Sequence, residues 1–126
     1  MATVAYTIER VQTFMDDAHV MSWTPLTTTN ADGQAVEMPG SADRTIQFLG
    51  TFGAGGTVIL QGSNVLAPAA GTDTDWFTLT DPQGTAISKT ASAGEAVLEL
   101  TRWVRAKVTA GDGTTSITAL LLVKRK

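Results

Sequence analysis

The sequence predicts an all-β protein: an antiparallel sandwich of two sheets with about eight strands, jelly-roll-like in arrangement. Threonine, valine and isoleucine recur where apolar and polar residues alternate, and their branched Cβ atoms favour extended backbone. Glycine and Asp/Asn turn signals interrupt the chain at short intervals, and no segment keeps a 3.6-residue apolar period. With 126 residues, 43% of them hydrophobic, we expect residues 1–126 to form a single domain with its own core.

The first half of the chain is predicted to hold four main strands, at residues 3–14, 19–23, 45–49 and 57–61. The second should end before Pro25, since proline cannot donate a ladder hydrogen bond. The third and fourth flank the glycine-rich segment 50–56, which predicts a hairpin turn. The fourth is apolar on both faces, which predicts a central position in its sheet.

A long irregular loop is expected at about residues 25–44, with a short strand at 35–38 inside it. Loops of this length are uncommon in compact domains unless they are functional or mobile. We therefore consider it a partner-contact loop, with Val36 and Met38 as its candidate interface residues. The alternative is a surface excursion without a role.

The second half predicts strands at 75–80, 85–90, 95–100, 102–109 and 115–123. Asp81-Pro82-Gln83-Gly84 has the composition of a β-turn with proline at its second position. Gly111-Asp112-Gly113-Thr114 lies between the last two strands and predicts that they form a hairpin.

The last two strands supply the other candidate interface residues. Alternation places Trp103, Arg105 and Lys107 on one face of their strand, and an exposed Trp beside Arg is typical of an interface anchor. The same Trp could instead stack on a sugar ring, or be covered by the Arg and Lys stems. On the C-terminal strand, Leu120 and Leu122 lie opposite the main apolar face, so a second sheet or another subunit should bury them.

No residue pattern predicts catalysis, a cofactor or a metal site. The chain has no cysteine and one histidine, His19, which excludes thiol chemistry, disulfides and multi-histidine metal sites within one chain. The glycines at 53–56 precede a strand and no helix, unlike a phosphate-binding loop. The close acidic pairs are Asp16/Asp17, Asp73/Asp75 and Glu95/Glu99; the two Asp pairs lie in turn-like segments and are expected to serve turns and solvation rather than glycoside hydrolysis. Asp73, Asp75 and Asp81 have the oxygen ligands that calcium takes, but no spaced calcium loop is present.

Charge and hydropathy predict neither a nucleic-acid nor a membrane partner. The net charge is −3, and the short basic end, residues 124–126, is too small for an extended nucleic-acid surface. The longest aliphatic stretch, residues 119–123, is far shorter than a membrane span. The N-terminal residues lack a basic segment followed by a long apolar one, so we do not expect a secretory signal.

Four blocks of the sequence carry a family resemblance: Gln61-Gly62-Ser63-Asn64, the segment 75–79, Arg102-Trp103-Val104-Arg105 and the segment 108–113. In this order they resemble capsid decoration, or cement, proteins of tailed bacteriophages. The first three blocks, with their Gly-Ser-Asn, Trp-bearing and Arg-Trp-Val-Arg segments, are also similar to discoidin-type sugar-binding sandwiches. The insertion at 65–74 departs from the sugar-binding pattern, in which Asn is followed almost directly by Trp.

The first resemblance implies a non-enzymatic virion protein without a cofactor, made in the host cytoplasm and bound to the outer surface of the capsid. It implies that the major capsid protein is the partner, that neighbouring capsomers are bridged, and that the chain forms a dimer or trimer. The second resemblance implies a carbohydrate-binding or other accessory module of a phage tail or fibre. A small hydrolase acting through its carboxylates is a third and weaker hypothesis.

Overall fold

The computed structural model describes residues 3–11, 18–41 and 43–124. In these residues it contains ten strands in two antiparallel sheets and no helix, which confirms the predicted sandwich with more strands than the expected eight. The strands are β1 (Tyr6–Val11), β2 (Ala18–Leu26), β3 (Val36–Glu37), β4 (Asp43–Thr51), β5 (Thr57–Ser63), β6 (Phe77–Thr78), β7 (Ser88–Lys89), β8 (Ala93–Ala96), β9 (Trp103–Ala110) and β10 (Ser116–Lys124).

The connectivity is that of a jelly roll. The first sheet has the order β1-β2-β10-β4-β8, and the second has the order β3-β9-β5-β6, with β7 also paired to β5. When β1 is set aside and β6 and β7 are counted as one strand, eight strands remain. They pair from the ends of the chain inwards: β2 with β10, β3 with β9, β4 with β8, and β5 with β6 and β7. This wrapped pairing gives the two four-stranded sheets of a jelly roll, with β1 added at one edge.

The core lies between the two sheets and follows the alternation of the long strands. The inward residues of β10 are Ile117, Ala119, Leu121 and Val123, all at most 1% exposed, as the sequence predicted. Among the largest fully buried side chains is Trp23 of β2, whose indole Nε1 donates to the carbonyl of Gln34 at 2.9 Å. The central position of β5 is also confirmed, because β9 pairs with one of its edges and β6 and β7 with the other.

The two predicted hairpins are wrong, since each turn joins the two sheets. β4 and β10 belong to the first sheet, and β5 and β9 to the second. Both edges of β10 are taken by β2 and β4, and both edges of β9 by β3 and β5. The turns at 52–56 and 111–115 are therefore arches that cross from one layer to the other at the same end of the sandwich.

A single carboxylate ties the two arches together. Asp112 accepts hydrogen bonds from the backbone N–H of Ala54 at 2.9 Å and from the N–H and hydroxyl of Thr114 at 2.8 and 2.6 Å. Thr115 donates its hydroxyl to the carbonyl of Phe52 at 2.7 Å. Gly53 has a φ of +73°, the left-handed conformation that glycine adopts without strain. These contacts hold the two arches against each other.

The Asp112 bonds predict an acid-sensitive contribution to stability. They lower the pKa of this carboxyl to about 2, with the Thr114 hydroxyl as the main cause. Because the folded pKa lies below the ordinary value of 3.8, the contribution is complete above that value and is lost as the pH falls towards about 2. We expect the difference in unfolding free energy between wild type and Asp112→Ala to be constant from pH 7 to 5 and to shrink below pH 4. Urea titrations across this range measure it.

A companion variant isolates the cause of this shift. Thr114→Val keeps the Asp112 carboxyl but removes the hydroxyl donor, so the pKa of Asp112 should rise towards its ordinary value. A carboxyl titration followed by NMR measures that pKa in both chains. An unchanged pKa in Thr114→Val, or a difference for Asp112→Ala that does not vary with pH, would contradict the assignment.

The segment expected to be a long irregular loop is largely packed against the sandwich. β2 continues through Pro25 to Leu26, so the predicted end before Pro25 is wrong. The backbone of 31–34 is bonded to Val4 and to β9, and the predicted short strand is present as β3. Val36 and Met38, expected at a partner interface, are 4% and 6% exposed and belong to the core. They are therefore corrected to core residues, because β3 pairs with β9 and turns them inwards.

Candidate functional site

Three candidate interface residues lie on the outer face of the second sheet, on the same side of β9. Trp103, Arg105 and Lys107 lie opposite Ser63, Gln61 and Ile59 of β5. The sequence prediction that the three share a face is confirmed by this register. The prediction that this face is exposed is wrong at its centre, because Arg105 has no exposed surface.

Arg105 is buried because the segment between β5 and β6 folds over the sheet. Residues 64–76, here called the covering segment, bring two backbone carbonyls to its guanidinium, that of Ala70 at 2.8 Å and that of Thr72 at 3.5 Å. The Trp76 ring lies beneath the guanidinium, 4.2 Å from ring centroid to Cζ. Gln61 accepts from Nε at 2.9 Å. This network uses each arm of the guanidinium fork, which lysine could not do.

Charged residues surround this buried cation. Asp73 of the covering segment lies 3.2 Å from Nη2 of Arg105 and 2.7 Å from Nζ of Lys107. The hydrogen bond from Lys107 is the main cause that lowers the pKa of Asp73. Asp32 adds a second carboxylate, 3.6 Å from Lys107. Burial lowers the pKa of Arg105, and the two carboxylates act in the opposite direction. The arrangement attaches the covering segment to the sheet through a fully buried guanidinium, while the Asp73 carboxylate that joins Arg105 and Lys107 is 58% exposed.

Trp103 is half-buried, which is less exposure than a free stacking platform would have. Its indole Nε1 is buried and finds no acceptor among the described residues. The 65–74 insertion, which departed from the sugar-binding pattern, is part of the segment that covers this sheet. The geometry therefore gives the carbohydrate hypothesis no open aromatic surface on the central strands of this face.

The outer face of the first sheet is different, because nothing in the described chain covers it. Leu122 lies between Val20 and Thr45, and Leu120 between Ser22 and Gln47. Leu122 is 41% exposed and Leu49 of β4, opposite Thr118, is 38% exposed, while Leu120 and Val20 are half-buried. We call Val20, Leu49, Leu120 and Leu122 the open face. It is apolar, is bordered by Thr, Ser and Gln side chains, and reaches a depression of about 330 Å³ that Leu122 lines.

Among the described acidic residues, Asp81 shapes its turn, whereas Asp73, expected to serve a turn, pairs with Arg105 and Lys107 instead. Asp81 accepts from the N–H groups of Gln83 and Thr85, both at 3.0 Å, and the predicted β-turn closes with a bond from Gly84 N–H to the Asp81 carbonyl. Glu99 accepts from the N–H and hydroxyl of Thr80, and Glu95 pairs with Lys89 at 2.9 Å. Asp16 and Asp17 lie outside the described residues. Among the residues that the structure describes, no three His, Asp or Glu side chains group as a metal site would require.

One buried cation was missed by the sequence analysis. Arg44, 4% exposed, donates to the carbonyls of Ser41, Met38 and Thr101 at 2.8–2.9 Å. Burial lowers its pKa to about 10. It lies at the inward position of β4 beside a shallow depression of about 330 Å³ that Leu122 also lines. The alternation of β4 indicates that residue 44 faces inwards, but no sequence pattern predicts which backbone carbonyls its guanidinium bonds.

No family model matches the chain, and neither a curated protein nor a solved structure is significantly similar to it. The described residues contain no helix with the length and apolar character of a membrane span.

Proposed function

We propose that this chain is a non-enzymatic capsid decoration protein of a tailed bacteriophage. It binds the major capsid protein on the outer surface of the virion and stabilises the head by bridging neighbouring capsomers. The observation that carries the proposal is the asymmetry between the two sheets. The second sheet is covered by residues 64–76, whereas no described residue covers the open face of the first, where Leu122 is 41% and Leu49 38% exposed.

The form of the open face suits a broad protein partner better than a small ligand. Small-molecule sites are concave and bury most of their ligand, but Val20, Leu120 and Leu122 lie on adjacent strands of one sheet surface. Exposed apolar patches bordered by polar residues mark protein interfaces. The jelly-roll connectivity is shared by viral capsid and lectin domains. It is therefore compatible with the proposed role but does not distinguish it from carbohydrate binding.

The first test is the number of copies in purified phage particles, measured by quantitative mass spectrometry against the major capsid protein. The proposal expects a ratio near one or a simple fraction such as one third. A handful of copies for each particle would favour an accessory role on the tail or fibre, including the carbohydrate-binding alternative. Absence from the particle would overturn the proposal.

The second test asks whether the open face makes the contact. We expect Leu122→Lys to weaken binding to undecorated capsids at least tenfold, about 1.4 kcal/mol, because a charge would be buried against the capsid. Leu66→Lys is the matched control, since Leu66 is 73% exposed on the covering segment of the other sheet. Co-sedimentation with capsids measures both. Equal binding by the two variants would exclude the open face.

A further inference from the structure

One sheet edge in the described residues is long and regular, and the others are short. The second sheet ends in two-residue strands, β3 on one side and β6 and β7 on the other, and the first sheet ends at β8 with four residues. The remaining edge is β1, Tyr6–Val11, with six residues and neither proline, glycine nor lysine. Soluble proteins usually blunt such edges with proline or with charged side chains, above all lysine, or shorten them, because an open edge pairs with other strands; the charged residues of β1 are Glu9 and Arg10.

The alternation of β1 determines which backbone groups face the open edge. Tyr6 lies opposite Trp23 of β2, but its N–H donates to the side chain of Gln34 at 3.3 Å. Tyr6 therefore directs its backbone away from β2. In an antiparallel ladder this direction alternates, so Ile8 and Arg10 also direct their N–H and C=O groups towards the open edge.

We propose that β1 pairs antiparallel with β1 of a second copy of this chain, about a two-fold axis at Ile8. The two Ile8 residues then face each other, and the exposed Ile8 side chain, 55% exposed in the single chain, gains an apolar partner. Tyr6 of each copy faces Arg10 of the other, which places a cation beside an aromatic ring on each side of the axis. The first sheets of the two copies join into one continuous sheet.

The register centred on Ile8 is more favourable than the registers centred on the neighbouring residues of β1. Centring the axis on Arg10 or Glu9 would place like charges directly opposite each other, which destabilises a strand pair. Centring it on Tyr6 or Thr7 would require Val4 as a pairing residue, but its N–H and C=O are already bonded to Asp32 and Gln34. The Ile8 register avoids the like-charge pairs and keeps the backbone bonds of Val4. It requires only that the Tyr6 N–H exchanges the Gln34 side chain, at 3.3 Å, for the Arg10 carbonyl of the second copy.

This pairing stands apart from the proposed function, because it is derived from the edge alone. The pairing nevertheless affects how the chain would bind a capsid under the proposed function. A two-fold axis perpendicular to the sheet places the open faces of both copies on the same side of the dimer. Two sites held in this way would bind a repetitive surface with the gain of effective concentration.

The first experiment measures mass in solution. Sedimentation equilibrium over about 1 µM to 1 mM, the range of weak to moderate interfaces, should show a dimer of the 13.2 kDa chain. Ile8→Lys should raise the dissociation constant about tenfold or more, because two lysines would meet at the axis. Leu98→Lys, at a side chain that is 58% exposed elsewhere, should leave it unchanged. A monomer at every concentration, a trimer, or equal effects of both variants would overturn the proposal.

The second experiment fixes the register and uses the absence of cysteine from the sequence. Directly paired residues in a hydrogen-bonded antiparallel pair have Cα atoms about 5.5 Å apart, within disulfide range. Ile8→Cys should therefore form a cross-linked dimer under mild oxidation. Arg10→Cys is the control, because the two copies of residue 10 would be about 14 Å apart along the strands. Equal cross-linking of both variants would overturn the register, and so would a failure of Ile8→Cys in a chain that still dimerises.

Discussion

Replacement of Arg105 by alanine is expected to lower the free energy of unfolding by about 2–4 kcal/mol. The change leaves the buried Gln61 side chain without its guanidinium donor, which costs about 1–3 kcal/mol. It also removes the stacking on Trp76, which contributes about 0.5–2 kcal/mol. Part of this loss is offset, because the alanine variant buries no cation on folding and so avoids the desolvation cost of the guanidinium. Urea unfolding followed by far-UV circular dichroism measures the difference.

The matched control for this change is Arg102→Ala. Arg102 also pairs with a carboxylate, that of Glu37 at 2.6 Å, but the two side chains are 37% and 42% exposed. Exposed ion pairs contribute about 0–1 kcal/mol, so this variant should remain close to wild type. Arg105→Lys keeps the charge but loses the fork geometry, and we expect it to lie between the two. If Arg105→Ala were as mild as Arg102→Ala, the buried network would not stabilise the fold.

The Arg105 variant should also release the covering segment. Its guanidinium bonds the carbonyls of Ala70 and Thr72 directly, and Asp73 loses one of its two cations. Hydrogen exchange in residues 64–76 should therefore increase in Arg105→Ala by more than its global destabilisation predicts. An increase equal to the global change would mean that the segment is held by its other contacts.

The strand faces were predictable because they follow from alternation alone. Val104, Ala106 and Val108 alternate along β9 with Trp103, Arg105 and Lys107, and all three are at most 3% exposed in the core. The same argument placed Leu120 and Leu122 on the opposite face of β10, where Leu122 is exposed. A period of two determines which residues share a side, whatever the sheet to which the strand belongs.

The pairing of strands was not predictable from the same signals. A glycine-rich turn ends one strand and begins the next, whether the chain returns beside the first strand or crosses to the other sheet. The segment 111–114 satisfied the composition of a hairpin, but its Asp112 is bonded to Ala54 of the other arch, 58 residues away. That contact depends on the tertiary structure, and no local pattern contains it.

The candidate interface was predicted only in part for a related reason. Arg105 and Leu122 both lie on outer faces of their sheets, and alternation cannot show which outer face the chain itself will cover. The covering segment decides this through the carbonyls of Ala70 and Thr72. The predicted residues are therefore divided between a covered face, which holds Trp103, Arg105 and Lys107, and the open face, which includes Leu120 and Leu122.

Truncation of Trp23 to alanine is expected to have the second large effect, a loss of about 3–5 kcal/mol. Trp23 is fully buried among the facing sheets, and its neighbour Gly33 is packed so closely that an added Cβ would lie 2.8 Å from the indole ring. A cavity of this size cannot close without moving both layers. Since domains are stable by about 5–15 kcal/mol, the variant should lose a large part of its stability in urea.

A pair of milder variants separates the hydrogen bond of Trp23 from its packing. Trp23→Phe keeps most of the ring but loses the donor to Gln34, which is bonded at 2.9 Å, and should cost at least about 1 kcal/mol. Trp103→Phe also removes an indole N–H, but one that is buried without an acceptor in the described part of the chain. Removing an unpaired buried donor should be neutral or stabilising. The opposite order of the two variants in urea unfolding would contradict this assignment, because Trp23→Phe loses both a bonded N–H and the packing of a fully buried ring, whereas Trp103→Phe loses an unpaired N–H at a half-buried site.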